Sequence, residues 1–277
     1  MLWAFKIFMN SNSLNIYYMQ PFESRRQINA WVAKETRNLI TQVLDPNDPN
    51  TDTLRVIANA IYFKAEWRNP FKEEHTDDGE FRRLDGSTVE VPFLQSWCSQ
   101  YIACHKVFMV LKLHYDAMDA AAWRTHDWEF YESLPKFSMC IFLLDGRKGL
   151  RSVVEKIASS PRFLHDHIPT DSVPVGDFRL PKFKLAFERN IVDDLMHLGL
   201  QLPFTGDDIC VNRVIHKAVI EMNEEGSEAA AVTVESEDDM GCSLFDSYEP
   251  EPKRVNFVAD HPFAFFIVEE KSGAIVF

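Results

Sequence analysis

The chain has 277 residues, 46% of them hydrophobic and 26% charged, a composition that excludes wholesale disorder and suffices for one large domain or two ordinary ones. Its formal net charge of −13 excludes a sequence-independent grip on nucleic acid or on an anionic membrane, since both need clustered Lys and Arg. Five cysteines at irregular spacing do not make a disulfide framework, and Cys98, Cys104 and His105 lack a second cluster to complete a tetrahedral metal site, so neither metal nor cofactor is expected.

Residues 1–26 open with MLWAFKIFMNSNSLNIYYMQ, which is apolar and aromatic. It lacks a basic leader before an uninterrupted apolar core and a small-residue cleavage site, so it reads as an irregular strand and not as a signal peptide. No run reaches the roughly 18 apolar residues of a membrane span, and no Asn-x-Ser/Thr acceptor occurs. A cytoplasmic or nucleocytoplasmic location is expected, with the extracellular space as the alternative. In residues 26–44, RQINAWVAKETRNLITQVL, the residues Ile28, Trp31, Val32, Leu39, Ile40, Val43 and Leu44 fall at helical spacing and predict one amphipathic helix. DPNDPNTD, residues 45–52, stops it.

TLRVIANAIYFKAEW, residues 53–67, is β-branched and aromatic and predicts a long strand buried on both faces. GEFRRLDGSTVEVPFLQ predicts a hairpin about Asp85-Gly86. KVFMVLKLHY and FSMCIFLLD are further strand material, and residues 116–136 between them have no period and read as an insertion. LRSVVEKIASSPRFL is a second amphipathic segment ended by Pro161, followed by a loop in which His165 and His167 form a surface pair. DFRLPKFKLAFERNIVDDLMHLGL passes from strand to a helix that Gly199 closes. RVIHKAVIEMNEEG is a strand leading into NEEGSEAAAVTVESEDDM, and VNFVADHPFAFFIVEEKSGAIVF is a strand, a Lys271-Ser272-Gly273 turn and the start of another strand. Strands dominate and helices lie on their faces, which defines an α+β class. No Gly-rich phosphate loop, G-x-S-x-G elbow or His-Glu-x-x-His pair occurs, so the chain is not expected to be an enzyme.

NAIYFKAEW at 59–67, HKAVIEMNEEGSEAAAVT at 216–233 and ADHPFAFFIVEEKSGAIVF at 259–277 resemble the serpins in their plant-type spelling, and RLPKFKLAF at 179–187 is similar too. The matching segments run from Gln27 to the end. Residues 27–277 therefore read as a partial serpin domain, N-terminally truncated and slightly short at the C-terminus, with residues 1–26 outside the match. The resemblance implies large mixed and antiparallel sheets with helices packed on them and an exposed reactive-centre loop at about residues 224–250. It also implies a suicide-substrate inhibitor of serine proteases, with papain-like cysteine proteases open as targets, whose cleaved loop inserts into a central sheet.

The same resemblance assigns the loop's hinge to Glu224, Glu225, Gly226, Ser227, Glu228, Ala229, Ala230 and Ala231. Gly226 can bend where the loop leaves its strand, and Ser227, Ala229, Ala231 and Thr233 share one face with little side chain to carry past a neighbour. SEAAA alone suits a surface helix equally well; the HKAVIEMNEEG before it decides for a hinge. Asn59 and His216 match the family's polar pair where the central sheet opens, where a buried hydrogen bond would hold strands together, and Trp67 matches the aromatic where the hinge enters. Family spacing puts the scissile bond at Met240-Gly241. Met240 suits a chymotrypsin-like or elastase-like pocket, and a shifted register would offer Cys242 or Leu244.

The inward face that begins at Ser227 continues through Glu235, Glu237 and Asp239, and residues 221–252 hold eleven acids and no Lys or Arg. Full insertion would carry those carboxylates under the sheet at a cost of several kcal/mol each when unpaired, on the order of a lost buried ion pair. The alternative outcome is therefore a non-inhibitory or inactive serpin-like protein, cleaved as a substrate or only binding partners.

Overall fold

The computed structural model describes residues 21–36, 38, 40–44, 56–63, 65–116, 129, 133–146, 149–160, 162–201, 213–227 and 253–277. Its strands in chain order are β1 Val56–Tyr62, β2 Ala65–Glu66, β3 Asp77–Arg82, β4 Thr88–Gln95, β5 Gln100–Cys104, β6 Phe108–His114 and β7 Phe137–Leu144. They continue with β8 Ser172–Val173, β9 Val175–Pro181, β10 Phe183–Asn190, β11 Arg213–Met222, β12 Gly226–Ser227, β13 Val255–Val258 and β14 Ala264–Glu269. The chain divides into two compact units, one of Met1–Lys64 with Lys184–Glu221 and one of Ala65–Phe183 with Met222–Phe277. Most of the expected insertion at 116–136, the turn at 45–52 and the first twenty residues lie outside the described residues.

In the first unit β1 runs parallel to β11, from Val56 opposite Arg213 to Tyr62 opposite Val219, and β10 also pairs with β11. The helix expected over 26–44 is instead Pro21–Glu35. Proline suits a helix start, and Glu23 and Lys34 sit at the ends that the helix dipole favours. The helix ends because Asn38 adopts φ 65°, and the Thr36 hydroxyl donates to the Val32 carbonyl at 2.8 Å and accepts the Ile40 amide at 3.1 Å. Asn29 then straps the returning chain to the helix, its Oδ1 accepting the Val43 and Leu44 amides at 2.9 and 3.0 Å. Ile40, Val43 and Leu44 are thus buried with Val32, Ile215 and Val219 without being helical. Apart from Leu39, which lies outside the described residues, the apolar spacing marked the correct core residues and the wrong backbone, because a folded-back segment fills the same face. Further on, the helix Val192–His197 closes at Gly199, which has φ 95°. Leu185 and Phe187 of β10 remain about half exposed, at 48% and 51%.

Besides the paired β2 and β12, the second unit holds two sheets. In one, ordered β13-β9-β4-β3, β13 is parallel to β9 and the other pairs are antiparallel, with Asp85 and Gly86 in the expected hairpin turn. The other, ordered β14-β7-β6-β5-β8, is antiparallel throughout. All eight residues of β7 are buried. Phe108, Val110, Phe142, Leu144 and Phe266 form one face, and the helices Leu150–Ser159 and Phe163–Asp166 cover it with Leu150, Val153, Ile157 and Phe163. β5 has no counterpart in the sequence reading, because five residues bounded by polar ones show too little alternation. The expected single strand over 53–67 is two: β1 ends at Tyr62, and after Phe63 and Lys64 the two-residue β2 follows.

His165 and His167 are not a surface pair. His165 lies in the short helix, half-buried, with Nε2 donating to the Gly273 carbonyl at 2.6 Å, and His167 Nδ1 donates to the Phe163 carbonyl at 2.7 Å. Among the described residues no cluster of His, Cys, Asp or Glu has the arrangement of a metal site, and no helix is long and apolar enough to cross a membrane.

The covered face of the five-stranded sheet ends in a polar cluster. Glu270 Oε1 accepts from His114 Nδ1 at 2.9 Å and from the hydroxyl of the buried Ser138, with Lys112 Nζ at 3.2 Å. The His114 bond, helped by Ser138 and the Lys112 charge and opposed by burial, holds the Glu270 carboxyl well below the usual carboxylate range. A depressed carboxylate contributes stability that is complete above its unfolded value and is lost as pH falls toward the folded one. Glu270→Gln is therefore expected to melt below the wild type at neutral pH, with the difference shrinking as pH drops below about 4. Thermal melts across pH check this, and a gap that stays constant or widens in acid contradicts it.

Candidate functional site

β11 ends at Met222 and the chain reverses within three residues. Asn223 makes the turn: its Oδ1 accepts the Glu225 and Gly226 amides, both at 3.1 Å, and its own amide donates to the Gly226 carbonyl at 2.9 Å. The returning residues form β12, paired antiparallel on both edges. Ser227 lies opposite Met222 on one side, while Gly226 and Ser227 lie opposite Glu66 and Ala65 of β2 on the other. Gly226 has φ 153°, and a Cβ there would lie 2.2 Å from the Ala65 carbonyl oxygen. Only glycine satisfies both the dihedral and this approach.

Trp67 and Tyr115 form the floor under the turn. The Trp67 amide donates to the Glu225 carbonyl at 2.7 Å and its indole Nε1 to the Asn223 carbonyl at 3.0 Å. Its ring stacks on Tyr115 with centroids 4.4 Å apart and planes 15° from parallel. Tyr115 is buried, and its hydroxyl is 2.8 Å from Oγ of Ser227, which is fully buried as well. Burial pushes the Tyr115 phenol far up from its ordinary value, so the group is neutral in this bond.

Glu224 is the one charged member of the turn that is buried. Lys182 Nζ is 2.8 Å from Oε2 and 2.9 Å from Oε1, the Thr76 hydroxyl donates to Oε1 at 2.8 Å, and the Phe71 amide donates to the Glu224 carbonyl at 2.8 Å. Burial alone would raise this carboxyl, but the Lys182 and Thr76 bonds outweigh it and hold the group below its usual value. Lys182 thus ties the turn to the end of β9 with a charge-assisted bond.

Of the hinge residues inferred from sequence, Glu224, Glu225, Gly226 and Ser227 are brought together here with Trp67. Glu228, Ala229, Ala230, Ala231, Met240 and Gly241 lie outside the described residues. Asn59 and His216 belong to the first unit, where the β1–β11 register sets them directly opposite each other. His216 is half-buried with its ring 6.2 Å from that of Phe187, and the expected Asn59–His216 hydrogen bond lies outside what is described. Asn223, Tyr115, Lys182 and Thr76 were missed. Asn223 was findable, since an Asn three residues before a Gly at a strand end is a turn signal. Nothing in one sequence points to the other three, which meet the hinge only through folding.

Among the described residues, the two buried hydroxyls of the site, those of Tyr115 and Ser227, bond each other. What the arrangement can do is conformational. It holds the root of a long segment as a two-residue strand between two others.

The family model described as Serpin (serine protease inhibitor) matches residues 4–277, reaching ahead of Gln27, where the motifs read from sequence begin. Putative serpin-Z5 of Oryza sativa subsp. japonica is 42% identical over 293 residues, covering 99% of this chain and 64% of that protein. Serpin-Z1 of Arabidopsis thaliana is 40% identical over 255 residues, covering 92% of this chain and 60% of that protein. The chain thus spans a little under two thirds of the length of these relatives. The solved structure of Arabidopsis AtSerpin1 in its native stressed conformation superposes with a TM-score of 0.75 at 36% identity, covering 91% of this chain and 63% of that one. A match along nearly the whole sequence, close plant relatives and a shared fold agree: the chain belongs to the serpin family.

Proposed function

We propose that this chain is a suicide-substrate inhibitor of serine endopeptidases, acting through a reactive loop at about residues 224–250 that enters the sheet between β1 and β11 once cut. The observation that carries this reading is the two-sided pairing of Gly226 and Ser227, which makes the root of the loop a strand already begun. The partner is a protease, and the nucleophile is the protease's own. Its attack on the Met240 carbonyl breaks the bond to Gly241, releases the Gly241 amine and leaves Met240 as an acyl ester on the enzyme. Residues 228–240 are then free to follow Ser227 into the sheet, each forming backbone hydrogen bonds on two sides. An acyl-enzyme dragged along with that strand is removed from the geometry its hydrolysis needs.

A second reading is favoured by one feature. Ser227 points its hydroxyl inward, and strand periodicity gives Glu235, Glu237 and Asp239 the same parity. Burying three carboxylates slows late insertion and lets the ester hydrolyse first, so that the protein is consumed as a substrate. Incubation with chymotrypsin-like, elastase-like and papain-like proteases separates the two readings. The expected product is an SDS-resistant adduct with a chymotrypsin-like or elastase-like enzyme, and clean cleavage without adduct overturns the inhibitor reading. Replacing Glu235, Glu237 and Asp239 together by Ala is expected to raise the ratio of adduct to cleaved protein severalfold, each ~1.4 kcal/mol removed from the insertion barrier being worth a factor of ten in rate.

Gly226→Ala tests the hinge on its own. A methyl group 2.2 Å from the Ala65 carbonyl, at a dihedral that L-residues avoid, forces β12 out of its place. The variant is expected to lose about 1–3 kcal/mol of stability and to gain protease sensitivity near residue 226, read by urea unfolding and limited proteolysis.

A further inference from the structure

Beyond the hinge motif itself, the structure assigns a holder for it: we infer that Tyr115 is a positioning residue that keeps Ser227 seated in the sheet, so that insertion starts from a contact already made. The inference rests on the inhibitor reading for its consequence, though not for its geometry. Tyr115 does not belong to the loop or to the strands beside it. It follows β6, its amide donates to the Phe137 carbonyl at 2.9 Å, and an isolated bridge joins it to Trp67. The five-stranded sheet therefore fixes its backbone, and the Trp67 stack at 4.4 Å fixes its ring. A phenol held on two sides delivers its hydroxyl to one point, and Ser227 Oγ occupies that point at 2.8 Å.

Burial makes the contact selective. Both residues are almost wholly shielded, at 1% and 0% exposure, so residue 227 must bring a hydroxyl to match the phenol. Alanine there would be close in size and would leave a buried hydroxyl without that partner, while a charged residue would be expelled outright. Ser227 is thus more than a small residue that slides: it is the residue that the floor recognises.

The consequence is kinetic. Bringing the first residue of a free loop to a sheet costs closure entropy before any contact rewards it. With Gly226 and Ser227 paired on both edges, that cost is already met when the protease cuts, and each later residue adds to an existing strand end. Insertion competes with hydrolysis of the acyl ester, so a better-seated Ser227 shifts the outcome toward the trapped adduct.

Four variants test this: Tyr115→Phe, Ser227→Ala, the two combined, and Ser227→Thr. Tyr115→Phe keeps the stacked ring and removes only the hydroxyl, so the fold is expected to hold. Amide hydrogen exchange over residues 222–227 in the uncut protein reports seating without any protease. Tyr115→Phe and Ser227→Ala are each expected to lower protection roughly tenfold, the double variant no further than either single one, and Ser227→Thr to retain it. In the protease reaction, Tyr115→Phe is expected to lower the ratio of adduct to cleaved protein severalfold and Ser227→Thr to keep it near wild type.

Unchanged exchange in both single variants, or losses that add in the double, overturn the assignment of Tyr115. Reduced protection with an unaltered adduct ratio overturns its role in starting insertion. If the wild type forms no adduct with any protease, the inhibitor reading fails, and seating is then upheld or overturned by exchange alone.

Discussion

Backbone N–H and C=O groups shut away from water must find partners, and β12 finds them on both edges with only two residues, against Met222 on one side and Ala65–Glu66 on the other. The rest of the site follows from that arrangement. A residue with a side chain cannot pass Ala65 at the distance observed, so the first position is Gly226. The second faces a buried phenol and carries a hydroxyl. The turn before them is closed by the Asn223 side chain, whose oxygen accepts the Glu225 and Gly226 amides. Glu224 is tolerated in a buried place because Lys182 and Thr76 meet its carboxylate.

These supports come from rigid parts. Trp67 follows β2, Tyr115 extends β6, and Lys182 follows β9, so three separate strands of one unit converge on a turn of a few residues. A site built on sheets holds its geometry better than one built on loops. The first unit supplies the parallel β1–β11 ladder in which Asn59 faces His216. Under the proposed function, a strand entering that ladder would exchange one set of backbone bonds for two.

The sequence was most informative where one residue type is forced. Gly226, the Asp85-Gly86 turn and Gly199 all sit where a positive φ or a close approach leaves no other choice, and each was legible. The strands from Phe108 and Phe137 were equally plain, since β-branched and aromatic runs bounded by polar residues admit few readings. The helix over 26–44 shows the opposite case: apolar spacing reports which residues are buried and not whether one helix buries them, and the Asn29 side chain that folds the second half back has no signature. Within the site, Glu224 to Ser227 were singled out by resemblance, and the groups around them, Tyr115, Lys182 and Thr76, were not. Tyr115 and Lys182 are 112 and 42 positions from their partners, distances over which a single sequence carries no pairing signal.

The central claim is that the segment beginning at Ser227 continues into the sheet once the loop is severed, and that doing so lowers the free energy of the fold. Melting of intact protein against protein nicked once within residues 228–250 tests it most directly, because a strand that gains hydrogen bonds on two edges must resist heat better than the same chain without it. The account predicts a large rise in melting temperature after the cut. An unchanged or lower melting temperature, with the severed peptide still open to further proteolysis, contradicts it.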